Sequence, residues 1–452
     1  MTDLQMTDAS PALPPNTPVR APLATQPLGL WPSLQAARRN LEIATRVPMI
    51  SGRTGIQWHM VMEPGAIRRM LLENLDNYPK STVTKNLLRP AIGESLFIAE
   101  GAHWRWQRRA AAPTFSHRNM QTLAPIMGAA AERSAERIGA AGRRAVDLYD
   151  EMVTTTFDVI SDVTFSGGEA FDRNAVHRAI DDYIVAAGKV SLFDMLGFPG
   201  WVPRPGRLRS SAALKQMKRV ADRAIDERVK RGPGDIPDLL DLLMQGEDPD
   251  TRRRMDVAEL RDNLLTFIVA GHETTALTLS WALYLLAWAP EIQDRVREEI
   301  TAAGPLTAES LSAMPLLRCV VDETLRLYPP AGLVSRTAQE ADVLCGRDIA
   351  PGDTVMIPIY ALHRHHALWR DPDAFDPDRF AGPRPDRYGY LPFGDGPRIC
   401  IGASFAIQEA MIVLATLLSR FRFARVEGCV PKPVMIITLR PEGGVWLTAK
   451  PL

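Results

Sequence analysis

The run from Val257 to Ala289 constrains this chain more than any other. Asp256 stands where a helix N-cap belongs, Glu259 follows three residues later as in a capping box, and Pro290 closes the run. About 33 residues at 1.5 Å each make a helix of roughly 50 Å, long enough to cross a whole domain. Residues 264–289 are apolar enough to read as a membrane span. Gly271-His272-Glu273-Thr274-Thr275 sits in their middle, however. An ionised Glu there costs about 2.5–3.5 kcal/mol even on a mild membrane scale. We therefore expect a helix buried through a protein core, with a polar interruption that wants a reason.

The chain has 452 residues, of which 53 are basic and 53 acidic, and 46% are apolar. That balance excludes a disordered chain and a strongly basic nucleic-acid binder. Four scattered cysteines (Cys319, Cys345, Cys400, Cys429) do not make a disulfide framework and fit a reducing compartment. The first residues show no basic start, apolar h-region or transmembrane anchor. The expectation is a Pro-rich, poorly ordered leader over 1–40, one domain over 41–452, and a cytoplasmic location.

The coarse pattern is mainly α with smaller β-rich regions. Between Val47 and Met62, Ile56, Trp58 and Met60 alternate with Gln57, His59 and Val61, which predicts a half-buried strand after a tight turn. Residues 120–190 and 210–245 read as amphipathic helices. Ser191–Arg207 reads as a loop with an apolar tip, placed as a lid, a membrane-grazing patch or a buried loop. Residues 332–360 turn β-like, with turns at Cys345-Gly346 and Pro351-Gly352-Asp353. Residues 361–399 are irregular. A last apolar helix runs from about Ala403 to Phe421 before a β-like tail.

The sharpest motif is Phe393-Gly394-Asp395-Gly396-Pro397-Arg398-Ile399-Cys400-Ile401-Gly402. It delivers one cysteine just before a helix, where free N–H groups and the dipole would lower a thiol's pKa. Gly396 suits a positive φ, and Gly402 lets a flat group approach the backbone. No second Cys or His stands at zinc spacing, so a lone thiolate is either a nucleophile or a soft ligand such as the fifth ligand of haem iron.

Phe393, Gly396, Arg398, Cys400 and Gly402 match every fixed position of the cysteine signature of the cytochrome P-450 haem-thiolate monooxygenases, and the chain resembles that family from about Val47 onward. Three further marks agree. Glu323-Thr324-Leu325-Arg326 and Pro377-Asp378-Arg379-Phe380 resemble the elements whose Glu323, Arg326 and Arg379 would form a structural ion triad. Ala270-Gly271-His272-Glu273-Thr274-Thr275 resembles the oxygen-activation motif. There the Thr274 hydroxyl can bond back to the Ala270 carbonyl and open a groove. Trp104 and Arg108, four apart on one helix face, resemble propionate-binding residues, with Arg336 and Arg398 as further partners.

The resemblance implies a helical block around a buried haem b, with Cys400 as iron ligand. It places Trp104, Arg108, Arg336, Phe393, Arg398 and Gly402 around the cofactor, and makes Glu273 and Thr274 the proton relay. It implies insertion of one atom of dioxygen into an apolar small molecule, with electrons from separate donors, a ferredoxin and a flavoprotein reductase. Arg105, Arg109 and Arg118 are candidates for a donor-docking patch. The substrate pocket is expected from residues 80–100 and 180–205, the long helix near Ile268, and Leu333–Val334. A peroxide-using variant and a haem-thiolate sensor or carrier stand as alternatives. His363, His365, His366 and Asp371 also form a metal-like cluster, which would make a metal hydrolase; we read it as structural.

Overall fold

A computed structural model describes residues 43–54, 56–165, 205–234, 237–435 and 437–452. The expected leader and residues 191–204 of the apolar loop lie outside the described residues, as does the 180–205 pocket wall up to its last residue. Among the described residues nine helices exceed two turns: α1 (Thr82–Ile92), α2 (Gly101–Ala111), α3 (His117–Ala140), α4 (Leu148–Phe165), α5 (Pro205–Arg231), α6 (Val257–Trp288), α7 (Pro290–Ala303), α8 (Pro315–Leu327) and α9 (Ala403–Arg420).

The expected long helix is α6, with the Asp256–Glu259 capping box formed in both directions. Pro290 does more than stop it: it is the first residue of α7, where its missing N–H leaves nothing unsatisfied. Every residue from Thr275 to Ala287 is buried, so this half of α6 is apolar all round for want of any solvent face. It packs on α4 and α9, and α9 in turn packs on α3. Among the described residues α9 alone is long and apolar enough to cross a membrane, and 61% of it is buried in the fold.

A four-stranded sheet lies beside the helices. It contains β1 (Met49–Thr54), β2 (Ile56–Val61), β3 (Val334–Thr337) and β4 (Thr354–Ile357), in the order β1-β2-β4-β3. β2 and β4 run parallel and the other pairs antiparallel. The alternation expected of β2 fails from Trp58 onward, where both faces are buried. Its cause is His59: held 2.8 Å from Ser51 Oγ and 3.1 Å from Asp353 Oδ2, it is a polar residue whose needs are met inside. The predicted turn at Cys345-Gly346 is present, with φ of 51° and 72°. The tail forms β5 (Phe421–Arg425), β6 (Lys432–Met435), β7 (Leu439–Glu442) and β8 (Trp446–Pro451). β5 pairs with β8, and the β6–β7 hairpin lies against α6.

Candidate functional site

The cysteine loop is shaped by two glycines in the left-handed region, Gly394 at φ 70° and Gly396 at 72°. A Cβ on Gly396 would sit 2.2 Å from the Leu71 carbonyl oxygen, so no other residue fits there. Asp395, clamped by Arg387 at 2.6 Å through both oxygens, accepts the Gly396 N–H. The Cys400 N–H donates to the Phe393 carbonyl at 2.9 Å, which closes the loop.

Behind the loop stands a buried lattice of polar bonds. Arg326 donates to Glu323 at 2.7 and 2.8 Å and to the carbonyls of His363, Pro372 and Ala374. Arg379 lies 3.5 Å from Glu323, which completes the expected triad. His363 is not a metal ligand: its Nε2 accepts the Leu391 N–H at 2.8 Å, and its Nδ1 faces the Arg326 carbonyl at 3.3 Å. Burial, then the Arg326 charge, push its pKa down to about 3. His365 faces the Val47 carbonyl, and among the described residues no His/Cys/Asp/Glu group fit for a metal exists.

Cys400 is exposed, and the space it faces is a cavity of about 420 Å3. The expected lowering of its pKa is corrected. Enclosure by protein raises it first, and the Gly402 N–H and Arg108 only draw it partly back. Trp104, Arg108, Phe393, Arg398, Gly402 and Arg336 all line the same cavity. Burial lowers the pKa of Arg108, and burial with the Arg398 charge brings Arg336 to about 10. Arg336 Nε and Arg398 Nε and Nη1 are buried donors without a hydrogen bond. Arg398 also pairs with Glu100 and lies 5.4 Å from the Trp104 ring centre. Lys80 completes this cationic end: its Nζ donates to the Leu96 and Ala99 carbonyls, and burial brings its pKa to about 7. Lys80 and Glu100 are the two ends of the expected 80–100 pocket segment, but sequence reasoning singled out neither, because no local pattern marks them.

Opposite the sulfur runs α6. Ala270, Gly271, Thr274, Thr275 and Thr278 line the cavity. The predicted back-bond is present, from the Thr274 hydroxyl to the Ala270 carbonyl at 2.7 Å. A Cβ on Gly271 would meet only Ile160, at 3.6 Å, so glycine there clears the cavity rather than relieving a clash. Glu273 does not line the cavity. Its Oε1 accepts from Thr438 at 2.8 Å and from Arg440 of β7 at 2.5 Å, on the side of α6 that the hairpin covers. Ile268 also turns away, and Phe267 takes its expected place in the wall, alongside Leu333 and Val334. Of the proposed docking arginines, Arg109 is committed to Asp248 at 2.8 Å and Asp250 at 3.3 Å. Arg105 reaches only an exposed Asp76 at 3.4 Å, and Arg118 is exposed.

These residues suit a flat metal macrocycle with acidic side groups. One wall offers a thiol, and one end offers guanidinium donors that nothing in the protein satisfies. A Cβ on Gly402 would find only Phe115, at 4.0 Å, so the backbone beside the sulfur is open. Comparison with known proteins points the same way. A family profile described as Cytochrome P450 matches residues 52–448. A cytokinin hydroxylase of Arabidopsis thaliana is 33% identical over 89% of this chain and 81% of its own. A cyclooctat-9-en-7-ol 5-monooxygenase of Streptomyces melanosporofaciens is 32% identical over 91% of this chain and 90% of its own. The crystal structure of the cytochrome P450DA heme domain superposes with a TM-score of 0.81 at 25% identity, covering 91% of this chain and 92% of that one.

Proposed function

The chain belongs to the cytochrome P450 family and is a P450-type oxidoreductase, and on that premise we propose that it hydroxylates a hydrocarbon-rich small molecule at the cavity above Cys400. The observation that carries this reading is one cavity shared by a thiol, guanidinium groups that each keep at least one unsatisfied donor, and a hydroxyl-lined helix groove. Haem b, held by Cys400 and by Trp104, Arg108, Arg336 and Arg398, supplies the dioxygen chemistry when bound. The walls support an apolar substrate: Leu96, Phe97, Phe267, Leu333 and Val334 surround the space.

The rest is work for this chain's own side chains. Arg336 and Arg398 present charged donors that pair well with carboxylates. The Thr274 hydroxyl has spent its proton on Ala270, so toward the cavity it acts as an acceptor that orients an incoming proton donor. Glu273, held by Arg440 and Thr438 on the hairpin side of α6, serves Thr274 by turning away from them toward the groove. Electrons come from separate donors, a ferredoxin with a flavoprotein reductase, docking near Arg105 and Arg118. We place the protein in the cytoplasm, as one domain over 41–452.

The test is spectroscopic. The purified protein, reduced and exposed to carbon monoxide, should show the red-shifted Soret band of thiolate-ligated haem, and Cys400→Ala should abolish it. A wild-type protein that takes up haem with a spectrum typical of imidazole ligation would overturn the assignment.

A further inference from the structure

Glu100 stands at the N-cap position of α2, yet its side chain makes no bond to its own helix. It reaches other parts of the chain instead. Its Oε1 accepts the Lys80 N–H at 2.7 Å and lies 3.4 Å from Lys85 Nζ on α1. Its Oε2 pairs with Arg398 Nη2 in the cysteine loop. An acid that forgoes the cap of its own helix has been drawn off by positive charge. Lys80, Arg336 and Arg398 line one end of the cavity, and Glu100 does not line it. Its charge holds up the pKa of both Lys80 and Arg336 against burial and against Arg398.

What matters is which nitrogen Glu100 holds. A guanidinium grips a carboxylate best through two parallel N–H bonds. Arg109, Arg326 and Arg387 do so with Nε and Nη2. Arg228 and Arg295 do so with Nη1 and Nη2. Both forks share Nη2, the nitrogen of Arg398 that Glu100 occupies. The buried Arg398 Nε and Nη1 have no hydrogen bond, but without Nη2 neither completes a fork.

We propose that Glu100 is an internal stand-in for a haem carboxylate at Arg398, and that haem seats by displacing it. Before haem arrives, Glu100 keeps a buried guanidinium paired. Afterwards two carboxylates claim one nitrogen, so Glu100 weakens the hold on the cofactor. It is a positioning residue: it acts through Arg398 and touches no reacting atom. The inference rests on the haem-binding reading of the cavity, and neither on thiolate ligation nor on oxygen insertion.

The test is the rate at which the haem-loaded protein gives up its haem to excess apomyoglobin. Glu100→Gln keeps an acceptor for the Lys80 N–H and drops the charge. It should lose haem about 10-fold more slowly than wild type, roughly the worth of one added charge-assisted bond. Glu100→Asp, still charged but with a shorter reach, should slow the loss by less. A residue that only braces the loop gives the opposite sign, so equal or faster loss from Glu100→Gln overturns the proposal. If that variant fails to fold, a crystal structure of the loaded wild type decides. Arg398 Nη2 on a haem carboxylate with Glu100 released bears the proposal out, and Glu100 still on Nη2 overturns it. A wild type that holds haem without the thiolate carbon monoxide band would sink the functional reading instead, and the loss rates would still decide the role of Glu100.

Discussion

The two walls of the cavity are built on opposite plans. The cysteine wall is tied down from behind: Arg326 is fully buried and spends its donors on Glu323 and three backbone carbonyls, and His363 pins the Leu391 N–H. The α6 wall is loosened from within. Thr266, Thr274, Thr278 and Ser280 each bond back to a carbonyl four residues earlier, a habit that weakens and bends helices. The buried Thr275 Oγ1 has no hydrogen-bond partner. The difference fits the roles proposed for the two walls, since a metal ligand has to stay in one place and a proton path has to rearrange.

The hardest blow to this contrast is aimed at the rigid side. Arg326→Leu leaves a buried Glu323 without its charge partner and strips three carbonyls of their donor. Breaking such a pair costs about 3–5 kcal/mol, a large share of a domain's stability. We expect little soluble protein and no thiolate carbon monoxide band. A melting temperature within a few degrees of wild type would show that the lattice is not what holds the loop.

His363 gives a finer cut. His363→Phe leaves the Leu391 N–H buried and unsatisfied, at about 1–3 kcal/mol. It should shift part of the carbon monoxide spectrum toward the form lacking thiolate, with His363→Gln recovering some of it through its own acceptor. The pH dependence has a definite sign. The folded pKa of about 3 lies below the ordinary 6.5, so the unfolded chain binds more protons between those values. Stability is therefore fully present above about pH 6.5 and falls as pH drops toward 3, by up to about 1.4 kcal/mol per unit. His363→Gln should flatten that decline in denaturant titrations at successive pH values. An unchanged slope would remove His363 from the account.

The same contrast explains what could be read from the chain before its structure. The cysteine wall was legible because its chemistry is compressed into short runs, Phe393 to Gly402 and Glu323 to Arg326, where spacing alone fixes geometry. The Thr274 back-bond was legible for the same reason, since it joins residues four apart. What escaped depends on long-range packing. His363 is tied to Leu391, Glu273 to Arg440 and Arg109 to Asp248, across 28, 167 and 139 residues. The direction of the Cys400 shift escaped because enclosure is a property of the assembled cavity, whereas the helix end is local.

The smallest expected effect on stability belongs to the loose wall. Thr274→Ala removes a hydroxyl that competes with the helix's own bonding, and alanine is the better helix former. Any loss of packing is set against that gain, so the melting curve should change by no more than about 0.5 kcal/mol. Haem uptake and the carbon monoxide band should be intact. The hydroxyl's departure should show elsewhere: with its acceptor gone, the groove no longer orients a proton donor, and a larger share of reducing equivalents should appear as hydrogen peroxide. Thr274→Ser restores the oxygen without the methyl and should return the peroxide yield toward wild type. If Thr274→Ala instead melts several degrees lower and leaves peroxide output unchanged, then the Thr274 hydroxyl is a brace, and the α6 wall is no looser than the one it faces.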